Sequence, residues 1–436
     1  MHVLGTPGSA PASASTHPSS RLQPVAGESR PVAPGLLAPS NAHYRRPLLD
    51  TPFLEPSRPW IQNDTFVAWA GYCTPDVYSS TEQEYFAIRN TCAVFDLTPM
   101  VKYLITGPDA EAYLNRVVTC DLRKLKVNRV IYTVWCDDEG KVIDDGTVFR
   151  FGPQEFRLCS AERQLDWLLD CAIGFDVHVR EVTQEIAALA VQGPTSFSTL
   201  RAAGFQGLES LTAMGMSHHR WEGLDVMISR TGFTGDLGYE VWVPPEGAPL
   251  LWERLFGAGR LRGILPIGYR ALDMARIEAG FILPDVDFVS CNHTVRLDRE
   301  SSPFELNLDW TVALGKGHFN GRRALVAEKA RGVRRRLVGL ELDGNKPGHD
   351  SLVYSARSMK LQVGEITAAL WSPTCKRNIA IARIDAPWCD RKDVTLWVDL
   401  YLQRELRWER REVRAWIVER PFFLPDRRRA TPPVER

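Results

Sequence analysis

The stretch Arg230-Thr-Gly-Phe-Thr-Gly-Asp-Leu-Gly-Tyr-Glu-Val-Trp-Val-Pro244, followed by Ile267-Gly-Tyr-Arg-Ala-Leu-Asp-Met-Ala-Arg-Ile-Glu-Ala-Gly280, decides the reading of this chain. Glycines punctuate a turn that feeds a strand of aromatic and β-branched residues, and a charged helix comes shortly after. Glu240 is the carboxylate inside that strand. An acid among such neighbours needs a partner that donates hydrogen bonds to it.

Outward from this stretch, the 436 residues are enough for two or three domains, and 44% hydrophobic with 24% charged residues is an ordinary globular composition. A formal net charge of +0 gives no general pull toward nucleic acid or an anionic membrane. The local runs Arg334-Arg335-Arg336 and Arg427-Arg428-Arg429 read as solvated loop and tail. Nine cysteines at irregular spacing, with no C-x-x-C pair, argue against a disulfide framework and a metal site. They imply a reducing, cytoplasmic setting. No apolar run approaches the ~20 residues that span a bilayer, so no membrane partner is expected.

Residues 1–42 are rich in Pro, Ser, Ala and Gly without a hydrophobic period and read as a disordered tail. Strands are expected at Thr65–Gly71, Val94–Leu97, Val101–Thr106, Val130–Trp135, Val142–Phe151 and Glu155–Ser160. Ser80-Thr-Glu-Gln-Glu84 starts a helix through Arg89 by overlapping capping-box spacings, and Asp109 is placed to cap the helix launched by Gly107-Pro108. Gln192-Gly-Pro-Thr195 opens a second helix in the same manner, which hints at an internal duplication. Beyond Ala330 the texture changes to short apolar strands at Leu337–Leu342, Leu361–Ile366, Ile379–Ile384 and Val394–Leu402. The fold class is therefore α+β, a core of mixed short strands and helices over 43–330 with a small C-terminal β-barrel over 331–425 and a basic tail at 426–436.

The most chemically suggestive segment is Val142-Ile-Asp-Asp-Gly-Thr-Val-Phe149. Two successive acids in a strand put one carboxylate on each face of the sheet. Read on its own terms, Gly146 could equally mark a bulge or turn whose edge the two acids decorate.

Taken together, these motifs resemble the aminomethyltransferase (glycine-cleavage T-protein) family, which includes tetrahydrofolate-dependent demethylases. Gly140-Lys-Val-Ile-Asp-Asp145 is similar to the family's Gly-Gly-x-x-Asp-Asp element, whose second acid faces the reactive nitrogens of the folate and maps to Asp145. Phe95-Asp-Leu-Thr-Pro-Met100 resembles a segment whose Met lines the pterin pocket, and Tyr132 falls at the spacing of a second lining residue. Glu240 matches the glutamate that grips the pterin edge, where two parallel N–H donors suit a carboxylate. Arg276 matches the arginine of the Leu-Arg-Leu-Glu-Ala-Gly element, although an i, i+3 ladder of Arg270, Asp273 and Arg276 would also account for these residues. The family's Ala-Arg-Asp triplet reads Ala271-Leu272-Asp273, so the arginine for the folate tail is replaced, with Arg270, Arg335 and Arg336 as candidates to serve instead.

The resemblance implies an enzyme that moves a one-carbon unit from a small-molecule or lipoyl-carried donor to tetrahydrofolate, with a carrier protein as partner in the lipoyl case. The donor group would be aminomethyl, or methyl as in the demethylases; for an aryl methyl ether, His293, His318 and Tyr72 are candidate acids. The alternative is a non-catalytic folate-binding or regulatory protein of the same fold. The iron–sulfur-assembly branch is disfavoured because Lys316-Gly-His-Phe-Asn-Gly-Arg-Arg323 lacks its cysteine, and no flavin-binding Gly-x-Gly-x-x-Gly opens the chain.

Overall fold

The computed structural model describes residues 47–358 and 361–433. The expected N-terminal tail lies outside the described residues. Two sheets form the core. One has six strands in the order Met216–Trp221, Leu224–Ser229, Gly238–Val243, Ala187–Gln192, Cys92–Asp96 and Ile264–Pro266, antiparallel except for the last pair. The other has five antiparallel strands, Arg129–Cys136, Val142–Gly152, Glu155–Ser160, Val101–Thr106 and His178–Glu181.

The sheets face each other across a layer built from Phe95, Ala188, Ala190, Met227 and Trp242 on one side and Val130, Phe149 and Cys159 on the other. Behind the six-stranded sheet pack the helices Ser196–Ala202 and Ala248–Gly259, and behind the five-stranded sheet the helices Ala110–Val117 and Leu165–Cys171. In both halves a strand passes through Gly-Pro into a helix. A Cβ at Gly107 would meet the Asp176 carbonyl oxygen at 2.6 Å and one at Gly193 the Thr91 carbonyl oxygen at 2.5 Å, both at positive φ, so glycine is required at each step.

A closed six-stranded barrel follows, in the order Arg335–Leu342, Arg377–Asp385, Gln362–Ser372, Leu352–Tyr354, Leu396–Arg404 and Arg407–Val418. The sequence pattern missed two of these strands. Leu352–Tyr354 is only three residues long, and Arg407–Val418 is so charged along its exposed half that no apolar alternation shows.

Ser80 caps the helix Thr81–Asn90 by accepting from the Gln83 N–H, as expected. Asp109 differs: its side chain accepts from the Asp176 N–H at 2.9 Å and leaves its own helix uncapped, because the returning 174–178 segment offers a donor first.

The two basic runs are engaged with the fold rather than free, although Arg334 and Arg429 remain exposed. Arg334 binds Glu305 at 2.7 Å, Arg335 is buried and donates to the Glu300 carbonyl, and Arg336 pairs with Asp309 at 3.0 Å. At the C-terminus, Arg427 grips the buried Asp236 with Nε at 2.6 Å and Nη2 at 2.7 Å, while buried Arg230 donates to Ala430 and Thr431. Arg427 turns inward because Asp236 lies buried and needs donors. Arg427→Ala should therefore lower stability by ~1–3 kcal/mol, the cost of leaving a buried charged acceptor short of donors. A urea melt that matches the wild type would return the segment to a solvated tail.

Core and barrel are tied by one buried polar network. Glu278, at the end of the helix Tyr269–Glu278, accepts from Arg89 Nη2 at 2.6 Å and Nε at 2.9 Å, from the Tyr85 hydroxyl, and from Ser372 of the barrel. Its backbone carbonyl takes the N–H groups of Phe422 and Phe423. No helix among the described residues is long and apolar enough to cross a membrane.

Candidate active site

The acid pair lies near the start of an interior strand, opposite Val134 and Trp135 of its neighbour, and not on a sheet edge. A Cβ on Gly146 would lie 1.9 Å from the Cys159 carbonyl oxygen of the adjoining strand, so this glycine allows close strand approach and marks no turn. Strand alternation then puts Asp145, Thr147, Phe149 and Phe151 on the face toward the six-stranded sheet, and Asp144 on the opposite face.

Asp144 is 1% exposed and accepts from the Asp145 N–H at 2.8 Å and the Glu162 N–H at 3.3 Å. Burial, reinforced by the Asp145 charge, holds its carboxyl well above the usual range. Asp145 keeps part of its surface open, and its Oδ2 accepts from the Tyr132 hydroxyl at 2.7 Å. Burial pushes its carboxyl up to about 6 against the opposing effect of the Tyr132 hydrogen bond. Tyr132 itself is half-buried and stacks on Trp310 at 5.6 Å with 28° between the rings.

Across the layer stands Glu240, and the glycines of its motif explain how it is held. Gly232 and Gly238 make room for the Gln192 side chain, which a Cβ would meet at 2.1 and 2.2 Å. Gln192 then clamps the turn: its Nε2 donates to the Thr231 and Tyr239 carbonyls, and its Oε1 accepts from the Thr234 hydroxyl at 2.8 Å. Glu240 shares a face with Trp242 and lies near enough to Cys159 for its charge to raise that thiol. Cys159 pairs with Thr147, one alternation step from Asp145, so Glu240 and Asp145 face the same layer from opposite sheets.

The Glu240 carboxylate receives the Ser229 hydroxyl at 3.3 Å and keeps part of its surface open. Burial pushes it up to about 7, opposed by hydrogen bonds from Thr231 and Ser229. In the folded protein it therefore holds a proton that the unfolded chain, titrating near ~4.3, would release. This contribution to stability is complete below that pH and is lost as pH rises through about 7.

Met100 closes one side. Its turn is fixed by the fully buried Lys102, whose Nζ donates to the Thr98 and Met100 carbonyls at 2.8 Å each, and burial pushes this amine down to about 8. The layer thus brings together Met100, Tyr132, Asp145 and Glu240.

The arginines lie elsewhere. Arg276 is 1% exposed and committed to Asp273 at 2.8 Å, to Asp287 and to the Phe281 carbonyl. Arg270 is mostly exposed and binds Asp76 at 2.7 Å, so the ladder with Asp273 has only its Arg276 half. Arg336 sits on the first barrel strand, paired with Asp309 beside Trp310. Leu272, at the position of the family arginine, is buried among apolar neighbours.

Sequence reasoning missed Lys102, Trp310, Arg157 and Arg420. The Arg157 guanidinium lies 4.8 Å from the Phe151 ring centre and 5.2 Å from that of Trp242, with Nε and Nη1 buried and without a hydrogen-bond partner among the described residues. Alternation along Glu155–Ser160 puts it on the face of Cys159 and could have revealed it. Arg420 follows the last barrel strand and donates through Nη2 to the Leu337 and Leu306 carbonyls at 3.0 and 3.4 Å. His293 is half-exposed beside Glu162, His318 is exposed, and Tyr72 is buried in the Tyr72–Pro75 strand.

The layer between the two sheets thus carries a partly open carboxylate, Glu240, on one wall and the Asp145–Tyr132 acid–phenol pair on the other. The chain belongs to the glycine-cleavage T-protein family: the GCVT N-terminal domain model matches residues 61–316, and the glycine cleavage T-protein C-terminal barrel domain model matches residues 335–423. It is an enzyme of the tetrahydrofolate-dependent one-carbon transferase class.

Among its relatives is the aminomethyltransferase of Caldanaerobacter subterraneus subsp. tengcongensis, 33% identical over 332 residues that cover 75% of this chain and 86% of that one. The aminomethyltransferase of Thermoanaerobacter pseudethanolicus is 30% identical over 367 residues, 83% of this chain and 94% of that one. The trimethylamine-oxide aldolase of Ruegeria pomeroyi is 36% identical over 338 residues, 74% of this chain and 41% of that longer one. The fold matches the crystal structure of glycine cleavage system aminomethyltransferase T from Bartonella henselae with a TM-score of 0.74 at 24% identity, over 86% of this chain and 98% of that one.

Proposed function

We propose that tetrahydrofolate lies in the layer between the two sheets and receives a one-carbon unit from an aminomethyl donor, with Glu240 holding the pterin edge, Met100 and Tyr132 lining the ring, and Asp145 beside the reacting nitrogens. The observation that carries this reading is the facing arrangement of Glu240 and the Asp145–Tyr132 pair. Among the described residues no cation pairs with Glu240, so two parallel N–H donors on a ligand would meet an acceptor left mostly unused.

Tetrahydrofolate supplies the two nitrogens that take up the carbon. Asp145, poised near neutrality, accepts a proton from a nitrogen as it bonds to carbon and returns one to the departing amine. Tyr132 fixes the carboxylate orientation through its hydroxyl, and the aromatic and apolar walls limit water. Asp144 orients the strand through two backbone amides, and Arg276, held by two acids, stiffens the helix behind the cleft.

A lipoyl-carried donor on a carrier protein fits this reading, in a cytoplasmic setting suited to the free cysteines. Methyl transfer from an aryl ether is less well supported, because His293 and His318 stand on the exposed surface and neither is among the residues of the layer. The intact acid pair speaks against a purely non-catalytic binder. Purified protein with tetrahydrofolate and a donor panel should yield 5,10-methylene product; 5-methyl product alone would move the assignment to the demethylases.

Glu240→Gln should weaken reduced-folate binding by ~1.5–3 kcal/mol, since the amide offers one acceptor where the carboxylate offers two. The same variant should lose the fall in apo-protein melting temperature between pH 5 and pH 7 that the raised carboxyl produces. Calorimetry showing unchanged affinity would remove Glu240 from the site.

A further inference from the structure

A cavity of about 340 Å³ lies outside the layer, and its lining includes Lys141, Glu305, Glu328, Arg331, Val333 and Arg334. It opens where the turn 137–141, which leads into the strand of Asp145, meets the end of the helix Arg322–Arg331. Turn and helix pack closely. A Cβ on Gly140 would lie 3.1 Å from the Leu325 side chain, and one on Gly321 would lie 2.5 Å from the Asp137 carbonyl oxygen, so the walls are preformed.

The charges in this cavity do not all meet. Ser302 joins its two acids, donating its N–H to Glu305 Oε2 at 3.1 Å and its hydroxyl to Glu328 Oε1 at 2.9 Å. Glu305 also receives Arg334 Nε at 2.7 Å. Glu328 is only 7% exposed, and its Oε2 has no hydrogen-bond partner among the described residues. Lys141 and Arg331 take part in no ion pair among the described residues, although both line the cavity and their charges act on Glu328. Burial keeps the Glu328 carboxyl above its usual range, as expected of an acid whose counter-charges stop short of it.

Opposite charges that share a cavity without touching leave room for a molecule that touches both. An ammonium on Glu328 would complete a charge-assisted hydrogen bond that water replaces only weakly, and the carbonyl end of the helix favours a cation at the same place. A carboxylate a few bonds away would then meet Lys141 and Arg331. Neither a simple cation nor a simple anion satisfies both sets of groups. We propose that this cavity is a binding site for an α-amino acid, held by its ammonium on Glu328 and by its carboxylate on Lys141 and Arg331. None of these residues belongs to the layer assigned to tetrahydrofolate, so the two ligands bind independently.

Glycine, serine and glutamine serve as probes of rising size, with acetate and methylamine as single-charge controls. Each is titrated calorimetrically at pH 7 into the full-length protein, with and without saturating tetrahydrofolate. At least one amino acid should bind saturably and ~10-fold or more tighter than either control. Glu328→Gln, which can still accept from Ser302, should lower that affinity to the level of acetate, and Lys141→Met combined with Arg331→Met should lower it to the level of methylamine. Lys141 and Arg331 are not buried, so the second variant keeps the test open if the first is destabilised. No saturable binding by any of the three, binding no tighter than the controls, or binding that both variants retain overturns the proposal. Displacement of the amino acid by tetrahydrofolate would place it in the layer and overturns it as well.

Discussion

Asp145→Asn is expected to lower turnover by ~10²-fold or more while leaving most tetrahydrofolate binding in place. The amide preserves size and can still accept from Tyr132, but it cannot exchange a proton. Because burial lifts the Asp145 carboxyl to about 6, the wild-type rate should climb through that pH and level off above it, and the variant should lack that limb. Asp144→Asn should cost far less, since Asp144 faces away from the layer, its carboxyl is held well above the usual range by burial, and it accepts from backbone amides. Equal turnover of Asp145→Asn and wild type on a confirmed donor would remove Asp145 from the chemistry and leave the fold assignment standing.

Glu278→Ala carries the largest expected loss of stability, ~3–5 kcal/mol, because it strands the buried Arg89 guanidinium with only part of its neutralising charge. Arg89 retains a longer contact to Asp236 at 3.4 Å, and Tyr85 and Ser372 lose their shared acceptor. The damage should reach the barrel as well as the core, since Ser372 and the Phe422–Phe423 backbone depend on Glu278. Denaturant melts followed by two probes, one in the barrel and one in the core, would show a shared shift. A loss under ~1 kcal/mol would mean the network relaxes around the gap.

The local sequence alone was enough for the α+β class, for the Ser80 cap, and for most core strands to within a few residues, because these rest on short-range period and capping chemistry. It also marked the Asp144–Asp145 pair and Glu240 as acids placed at a cost among strand residues, while the choice of Asp145 within the pair came from the family resemblance. The pairing of Asp145 with Glu240 was not visible. They lie 95 positions apart, and only the face-to-face packing of two sheets turns them toward one layer.

The arginines show the limit from the other side. Arg276, Arg336 and Arg427 look alike in sequence, yet each is neutralised by an acid brought from elsewhere in the chain or one helical turn away, and nothing local announces the partner. Trp310 and Lys102 were likewise silent, one because exposure is a property of the folded surface, the other because a buried lysine is legible only once the carbonyls it binds have been assembled around it. Composition and periodicity therefore determined the class, the elements and the costly acids of this protein. Tertiary packing alone decided which charges remain available for a ligand, because availability is what is left after every long-range partner has been counted.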